Sequence, residues 1–124
     1  MDKTVLLRYF KVRHLANAIV RQLRAEVIKL GFESDGPKIA QASNARYRLE
    51  KDPYSNEESL VGEWFDEKNK KLGNLLFHAD GSFFVEHDVV LPHPCKPRWF
   101  VEAVNAWGRD YQIKAEARLL PFPE

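Results

Sequence analysis

The sequence predicts an α+β fold: a long N-terminal helix packed on a mainly antiparallel sheet of four to five strands, arranged as a meander, with a second short helix before the last strand. Three patterns support this prediction. The first thirty residues show a helical period, a hairpin turn lies at residues 79–81, and the C-terminal residues alternate between apolar and polar side chains. A chain of 124 residues is expected to form one domain, residues 1–124.

The first element is one helix that spans Lys3 to Leu30. This stretch contains no Gly or Pro, and at 100° per residue its apolar side chains fall inside an arc of about 80°. Asp2 or Thr4 can cap the start of the helix, and Gly31 suits the position after its end. The apolar stripe consists of Val5, Tyr9, Val12, Ala16, Ile19, Leu23, Val27 and Leu30.

A competing interpretation makes residues 4–12 a strand and starts the helix near His14. The β-branched and aromatic side chains from Val5 to Phe10 favour a strand. However, nothing between Val12 and Ala16 resembles an N-cap, and the apolar stripe continues through this point. The single long helix is therefore the prediction.

Strands follow the helix after a connecting segment. Residues 33–44 predict a loop with a short strand around Ile39. Four strands of the meander are then predicted at residues 46–51, 60–65, 72–78 and 82–90, separated by polar turns.

The turn between the last two of these strands determines their register. The sequence His-Ala-Asp-Gly-Ser at residues 78–82 matches a three-residue loop that ends on a left-handed glycine. This loop pairs Phe77 with Phe83 and Leu75 with Val85 on one face. A two-residue loop would shift the register by one residue and mix polar with apolar side chains on both faces. The three-residue loop is therefore predicted.

A second helix is predicted from Pro97 to Trp107. Proline suits the first helical position, and Gly108 can end the helix. Phe100, Val104 and Trp107 lie on one face of this helix.

The last strand, residues 111–119, shows the clearest alternation in the chain. The tail from Leu120 onward contains two prolines, which lack a backbone donor and are expected to end the ladder. The complete order is a helix, a four-strand meander, a helix and a strand. This order resembles the cystatin-like arrangement, in which a meander curls around one helix, and the resemblance is one of layout alone.

Composition favours a soluble, cytoplasmic protein. Hydrophobic residues make up 44% of the chain, which is enough for a packed core and excludes a wholly disordered chain. Cys95 is the only cysteine, so no intrachain disulfide can form, and this usage is typical of a reducing compartment. No apolar run approaches the roughly 20 residues that cross a bilayer, and the first residues lack the apolar core of a signal peptide.

The formal net charge is only +1, but it is unevenly distributed. Residues 1–30 hold seven Lys or Arg against Asp2 and Glu26, a local charge of +5, while the rest of the chain holds 12 basic and 16 acidic side chains, a net −4. A basic helix can bind phosphate backbones. No nucleic-acid recognition motif accompanies it, so we expect weak binding to DNA or RNA at most.

Residues 78–95 concentrate the side chains that could perform chemistry. Histidines beside carboxylates can hold a ligand or form an acid–base pair. We take as a candidate polar pocket Glu86, His87, Asp88 and His93. These side chains converge only if residues 91–95 fold back over the strand.

A metal site and a catalytic cysteine are both disfavoured. On the predicted register His78 and His87 lie about 15 Å apart at roughly 3.3 Å per residue, too far to share an ion. Cys95 lies at the start of the predicted second helix beside Lys96, which could lower the thiol pKa, but no triad partner can be named. No metal and no other cofactor are therefore predicted, and the catalytic residues, if the protein is an enzyme, stay unassigned.

The first turns of the predicted helix are apolar on nearly all sides. Leu6, Leu7 and Phe10 point away from the core stripe and form a candidate interface. Either the second helix with the C-terminal tail or a second copy of the chain, in a homodimer, could cover them. The dimer is slightly preferred, because Leu7 and Phe10 lie well outside the stripe.

The sequence by itself does not identify a biochemical function. The leading hypothesis is a non-catalytic accessory or protein-interaction domain. The alternative is a small-ligand-binding or catalytic domain that uses polar groups around residues 78–95, and the third hypothesis is weak nucleic-acid binding through the basic first helix. A closed, fully packed core would argue against the alternative, because ligand sites are concave pockets open to solvent.

Overall fold

The computed structural model describes residues 2–33 and 38–123. Helix α1 spans Lys3–Lys29, and a short 3₁₀ helix lies at Ala42–Asn44. Six strands then form one antiparallel sheet in the order β1-β2-β3-β4-β5-β6. Their bounds are β1 Arg46–Lys51, β2 Glu58–Phe65, β3 Lys71–Phe77, β4 Ser82–Pro92, β5 Trp99–Arg109 and β6 Gln112–Pro121. The α+β class with a long first helix and a meander is confirmed, whereas the predicted count of four to five strands is wrong.

Helix α1 forms as the apolar stripe predicts, and the strand alternative for residues 4–12 is wrong. Asp2 caps its start: the carboxylate accepts hydrogen bonds from the backbone N–H groups of Thr4 at 2.7 Å and Val5 at 3.4 Å. Gly31 follows the helix with φ of +112°, a conformation that glycine adopts readily. The side chains that α1 buries against the sheet are Tyr9, Leu15, Ala16, Ile19, Val20, Leu23 and Val27.

The β3–β4 hairpin has the predicted register. Phe77 pairs with Phe83 and Leu75 with Val85, and Gly81 closes the loop with φ of +91°. All four apolar side chains belong to the buried core. Because side chains alternate along a strand, this register decides that they, and not their neighbours, face α1.

The predicted second helix is wrong, because residues 99–109 form β5 and pair with both β4 and β6. Two features explain the difference. Phe100, Val104 and Trp107 fit a helical period over a short stretch, although aromatic and β-branched residues also favour strands. A β-bulge between Val101 and Ala103 adds one residue and interrupts the alternation that would have identified a strand.

The sheet also extends further toward the C-terminus than predicted. Leu120 pairs with Phe100 and Pro121 with Trp99, so the tail lengthens the ladder. Proline is tolerated at this position because β6 is an edge strand and its nitrogen needs no partner. Phe122 then packs against Phe100, with 5.0 Å between the ring centroids.

The segment Lys38–Ala45, here called the strap, lies on the same face of the sheet as α1. Its Ile39 and Ala42 are buried among the side chains of α1 and the sheet. The predicted strand around Ile39 is wrong, because residues 38–41 have no regular structure and the 3₁₀ helix follows them. Residues 34–37 of the predicted loop lie outside the described residues.

The sheet face that carries α1 and the strap is called the inner face, and the opposite one the outer face. Apolar side chains fill the space on the inner face: Ile19 and Leu23 of α1 meet Leu60, Leu75 and Val85 of the sheet, and all five are fully buried. Each contributes about 1.5–3 kcal/mol by leaving water. Within the described residues, no helix combines the length and the apolar character that a membrane crossing requires.

Gly81→Val should lower the free energy of unfolding by about 1–2 kcal/mol, because a β-branched residue resists the left-handed backbone of this turn. A Cβ atom would also lie 2.6 Å from Oδ1 of Asp110, so that side chain must move. Urea unfolding followed by circular dichroism measures the loss. Gly81→Asn is the matched control and should lose less, since asparagine tolerates the left-handed region better. Equal losses in the two variants would contradict the backbone explanation.

Candidate functional site

The four residues of the candidate polar pocket lie in three different places. On β4, His87 faces the core, so its neighbours Glu86 and Asp88 point to the outer face. His93 lies beyond the strand, next to the end of α1. The structure therefore does not bring these four side chains into one pocket.

His87 is buried and fully engaged in hydrogen bonds. It is 2% exposed. Its Nε2 atom accepts a hydrogen bond from the N–H of Ala40 at 3.1 Å, so its Nδ1 atom carries the proton and donates to the carbonyl of Asp88 at 2.6 Å. Burial lowers the pKa of His87, which keeps the imidazole in this neutral form. With both ring nitrogens occupied, His87 can neither bind a metal nor act as a base.

Trp64 and Arg24 also hold the backbone of the strap. The Nε1–H group of Trp64 donates to the carbonyl of Gln41 at 2.9 Å, and a guanidinium N–H of Arg24 donates to the carbonyl of Ile39 at 3.3 Å. The Trp64 ring lies 5.1 Å from the ring of His87. These side chains supply the hydrogen bonds that a strap without regular structure cannot make for itself.

Tyr47 is the fourth side chain that bonds to the strap, after His87, Trp64 and Arg24. Its hydroxyl donates to the carbonyl of Ala42 at 2.7 Å, and burial raises the pKa of Tyr47, so the donor proton is retained. Gly62 on the neighbouring strand makes room for the ring, because a Cβ atom there would lie 2.5 Å from it. The ring also packs on Tyr9 of α1 at 4.8 Å.

His93 connects the end of α1 to the turn before β5. It is 7% exposed. Its Nδ1 atom accepts hydrogen bonds from the N–H groups of Cys95 and Lys96, both at 3.0 Å, so the Nε2–H group donates to the carbonyl of Leu30. The Phe32 ring packs edge-on against the imidazole. His93, like His87, is therefore occupied as a structural partner of the backbone.

The structure does not support Cys95 as a nucleophile, nor does it show a group of metal ligands among the described residues. Cys95 is exposed, and the helix predicted to start beside it is absent, because residues 99–109 form β5. Among residues 2–33 and 38–123, no group of three or more His, Cys, Asp or Glu side chains is arranged to hold a metal ion.

A polar cleft of about 300 Å³ lies where the β1–β2 and β3–β4 turns meet, and the sequence interpretation missed it. In it, Ser59 and His78 share a hydrogen bond of 3.1 Å between Oγ and Nδ1. Asp80 lines the same cleft, but hydrogen bonds from Ser82 lower its pKa and occupy its carboxylate. The Ser59–His78 pair forms only across the β2–β3 register, which no local sequence pattern specifies.

The outer face presents large apolar side chains to solvent. Strand pairing places in one row across four strands Val61, Leu76, Phe84 and Trp107. This set is called the apolar row. Phe84 is 39% exposed and Trp107 38%, and the row crosses three strand spacings, roughly 14 Å at about 4.8 Å each. No segment of the described chain packs over its two aromatic residues as α1 packs over the inner face.

Paired charges surround the apolar row. Glu63 pairs with Lys71 at 3.0 Å and with Arg48, and these hydrogen bonds lower its pKa. Glu86, one of the predicted pocket residues, pairs instead with Arg118 at 2.9 Å. Arg48, Lys71 and Arg118 of the outer face are thus each neutralised by a neighbouring acid.

The candidate interface at the start of α1 is partly covered. Leu7 is 53% exposed and Phe10 46%, whereas Leu6 is half-buried. The guanidinium of Arg13 lies 5.1 Å from the centroid of the Phe10 ring, which covers part of it. The exposed apolar surface at this end of the helix is therefore mainly Leu7 and one face of Phe10.

No family model matches this chain, and no curated protein or solved structure is significantly similar to it. Its function is therefore argued from the geometry of these surfaces.

The free energy of unfolding should decrease as the pH falls below about 6.5, the ordinary pKa of histidine. Because burial lowers the pKa of His87 in the folded state, the unfolded chain takes up a proton first. The stability that His87 contributes is fully present above the pKa that this histidine has in the unfolded chain, and it is lost as the pH falls toward the lower pKa of the folded state. The free energy of unfolding should change by at most about 1.4 kcal/mol per pH unit from this one group. Urea titrations at a series of pH values measure the slope.

His87→Gln should reduce this pH dependence while keeping an acceptor for the N–H of Ala40. His14→Gln, at an exposed position of α1, is the matched control and should keep the wild-type slope. An unchanged slope in His87→Gln would contradict a buried, neutral His87.

Proposed function

We propose that this chain is a non-catalytic protein-interaction domain whose contact surface is the outer face of its sheet. The observation that carries the proposal is the apolar row, in which Phe84 and Trp107 are each more than a third exposed. Aromatic side chains are enriched at protein interfaces and supply much of their binding energy. A continuous apolar band with a charged rim is the usual anatomy of such a surface.

The two histidines of the candidate polar pocket are committed to the fold, which favours interaction over catalysis at these residues. His87 and His93 each use both ring nitrogens to hold backbone groups. The space between α1 and the sheet, where a ligand would be expected, is filled by buried side chains such as Trp64 and Leu75. These features weigh against the alternative of a ligand-binding or catalytic site at residues 78–95.

The proposed partner of the outer face is a protein surface that is apolar at its centre and mixed in charge at its edge. Nucleic acid gains its affinity from cations that neutralise phosphates, and three cations near the apolar row, Arg48, Lys71 and Arg118, already pair with Glu63 or Glu86. A partner that buries the row would gain about 25 cal/mol for each Å² of apolar surface removed from water.

Photo-crosslinking tests the outer face. With p-benzoylphenylalanine in place of Trp107, irradiation in the cells that make the protein should give one discrete protein adduct, and the same adduct should form from position 84. Lys70, exposed in the β2–β3 turn, is the matched control position and should give none. Mass spectrometry identifies the partner. No adduct, or the same adducts from position 70, would contradict the proposal.

Leu76→Glu in the crosslinking chain should reduce the adduct yield about tenfold or more. The carboxylate would lie at the centre of the apolar row, where burial without a partner costs more than the roughly 1.4 kcal/mol that a tenfold change requires. A folded Leu76→Glu variant with an unchanged yield would show that the row is not the contact.

We further propose that a second copy of the chain binds at the start of α1, through Leu6, Leu7 and Phe10. The exposure of Leu7 and Phe10 supports this homodimer, because large apolar side chains that stand together on a helix are rarely left in water. A two-fold axis would place the same surface of each copy against the other. This surface is distinct from the apolar row, so a dimer would leave the outer face free.

Phe10→Glu should dissociate the dimer into a folded monomer, because it replaces a large apolar side chain of the helix–helix contact with a charged one that must lose its water on binding. Light scattering measures the mass, and circular dichroism checks the fold. Gln112→Glu, an equal charge change at an exposed position of β6, is the control and should leave the mass unchanged. A wild-type chain that is already monomeric at high micromolar concentration would contradict the dimer.

A further inference from the structure

A groove of about 380 Å³ runs between α1 and the strap. On the α1 side it is lined by Asn17, Arg21 and Arg24, which lie on one flank of the helix because they follow each other at four and three residues. On the strap side it is lined by Gln41 and Ser43. Every one of these five side chains can donate a hydrogen bond.

Among the described residues, those that line the groove include no Asp or Glu. Helix α1 contains no Asp or Glu between Lys3 and Ala25, and the strap, residues 38–45, contains none either. Within the part of the chain that the structure describes, no acid lies within ion-pair distance of Arg21 or Arg24. The cations of the groove thus differ from Arg48, Lys71 and Arg118 of the outer face, which neighbouring acids neutralise.

Arg24 is held in place before any ligand arrives. It is half-buried, and its hydrogen bond to the carbonyl of Ile39 orients the guanidinium along the groove. A guanidinium has five N–H donors, so most remain for a ligand. Arg21, one helical turn away and exposed, can complete a bidentate grip on an anionic oxygen pair.

We propose that this groove binds an acidic segment of a partner polypeptide, with its Asp or Glu carboxylates on Arg21 and Arg24. Charge complementarity points to an anion, and side-chain amides of Asn17 and Gln41 suit carboxylate and peptide groups. Single-stranded nucleic acid also needs exposed rings on which bases stack, whereas Tyr9, the aromatic residue of the groove, is 8% exposed. This inference rests on the proposed interaction function and names the chemistry of the partner, at a surface separate from the apolar row.

Fluorescence anisotropy of a labelled Glu–Gly repeat peptide, titrated with the full chain, tests the proposal. The wild type should bind the peptide saturably, and Arg21→Gln should weaken binding roughly tenfold, because a charge-assisted bidentate contact is lost. Lys68→Gln makes the same charge change in the exposed β2–β3 turn and should leave binding unchanged. A Gln–Gly peptide of the same length should not bind.

Several outcomes would overturn the proposal: no saturable binding of the acidic peptide, equal weakening by Lys68→Gln, or tighter Arg21-dependent binding of single-stranded DNA of equal charge. Arg21 is exposed, and a thermal melt confirms that Arg21→Gln remains folded. Crosslinking from position 107 reports on the outer face alone, so failure at the groove and failure of the interaction function give different results.

Discussion

The fold depends on how the inner face of the sheet is covered. A helix is about 10 Å wide, whereas six strands span five spacings, roughly 24 Å at about 4.8 Å each. One helix therefore cannot shield the whole face, and the strap covers what α1 leaves open. Because the strap is too irregular to satisfy its own backbone, side chains from the sheet and α1 must bond to it. Trp64, His87 and Tyr47 make these bonds from the sheet.

This constraint explains why the most reactive-looking side chains are poor candidates for catalysis. A neutral histidine offers one donor and one acceptor, so it can join two backbone segments by bonding to a group of each. His87 fills that role for the strap, and His93 fills it for the end of α1. Because these hydrogen bonds hold both imidazoles inside the protein, neither is available to a substrate.

Charge is separated between the two sides of the molecule. The acids lie mostly on the sheet and its turns, where they pair with Arg48, Lys71, Arg109 and Arg118. Helix α1 carries several cations but no acid before Glu26. The small net charge is therefore unevenly distributed: the outer face carries both acids and bases, whereas the groove is basic. An apolar protein surface suits the first and an acidic segment suits the second, and both could engage together because they lie on different faces.

Local interactions let the sequence determine α1, its caps and the β3–β4 register. The stripe from Val5 to Leu30, the Asp2 cap and the turn ending at Gly81 each depend on residues close in the chain. The same stripe indicated that Leu7 and Phe10 point away from the core, and both are exposed.

Only the tertiary structure decided the rest. A bulge at Val101–Ala103 concealed β5, whose strand state follows from its pairing with β4 and β6. Strand alternation by itself separates Glu86 from His87, but the bond from His87 to the strap and the groove beside the strap depend on where the strap docks. These features require contacts between residues far apart in the chain, and no local pattern encodes such contacts.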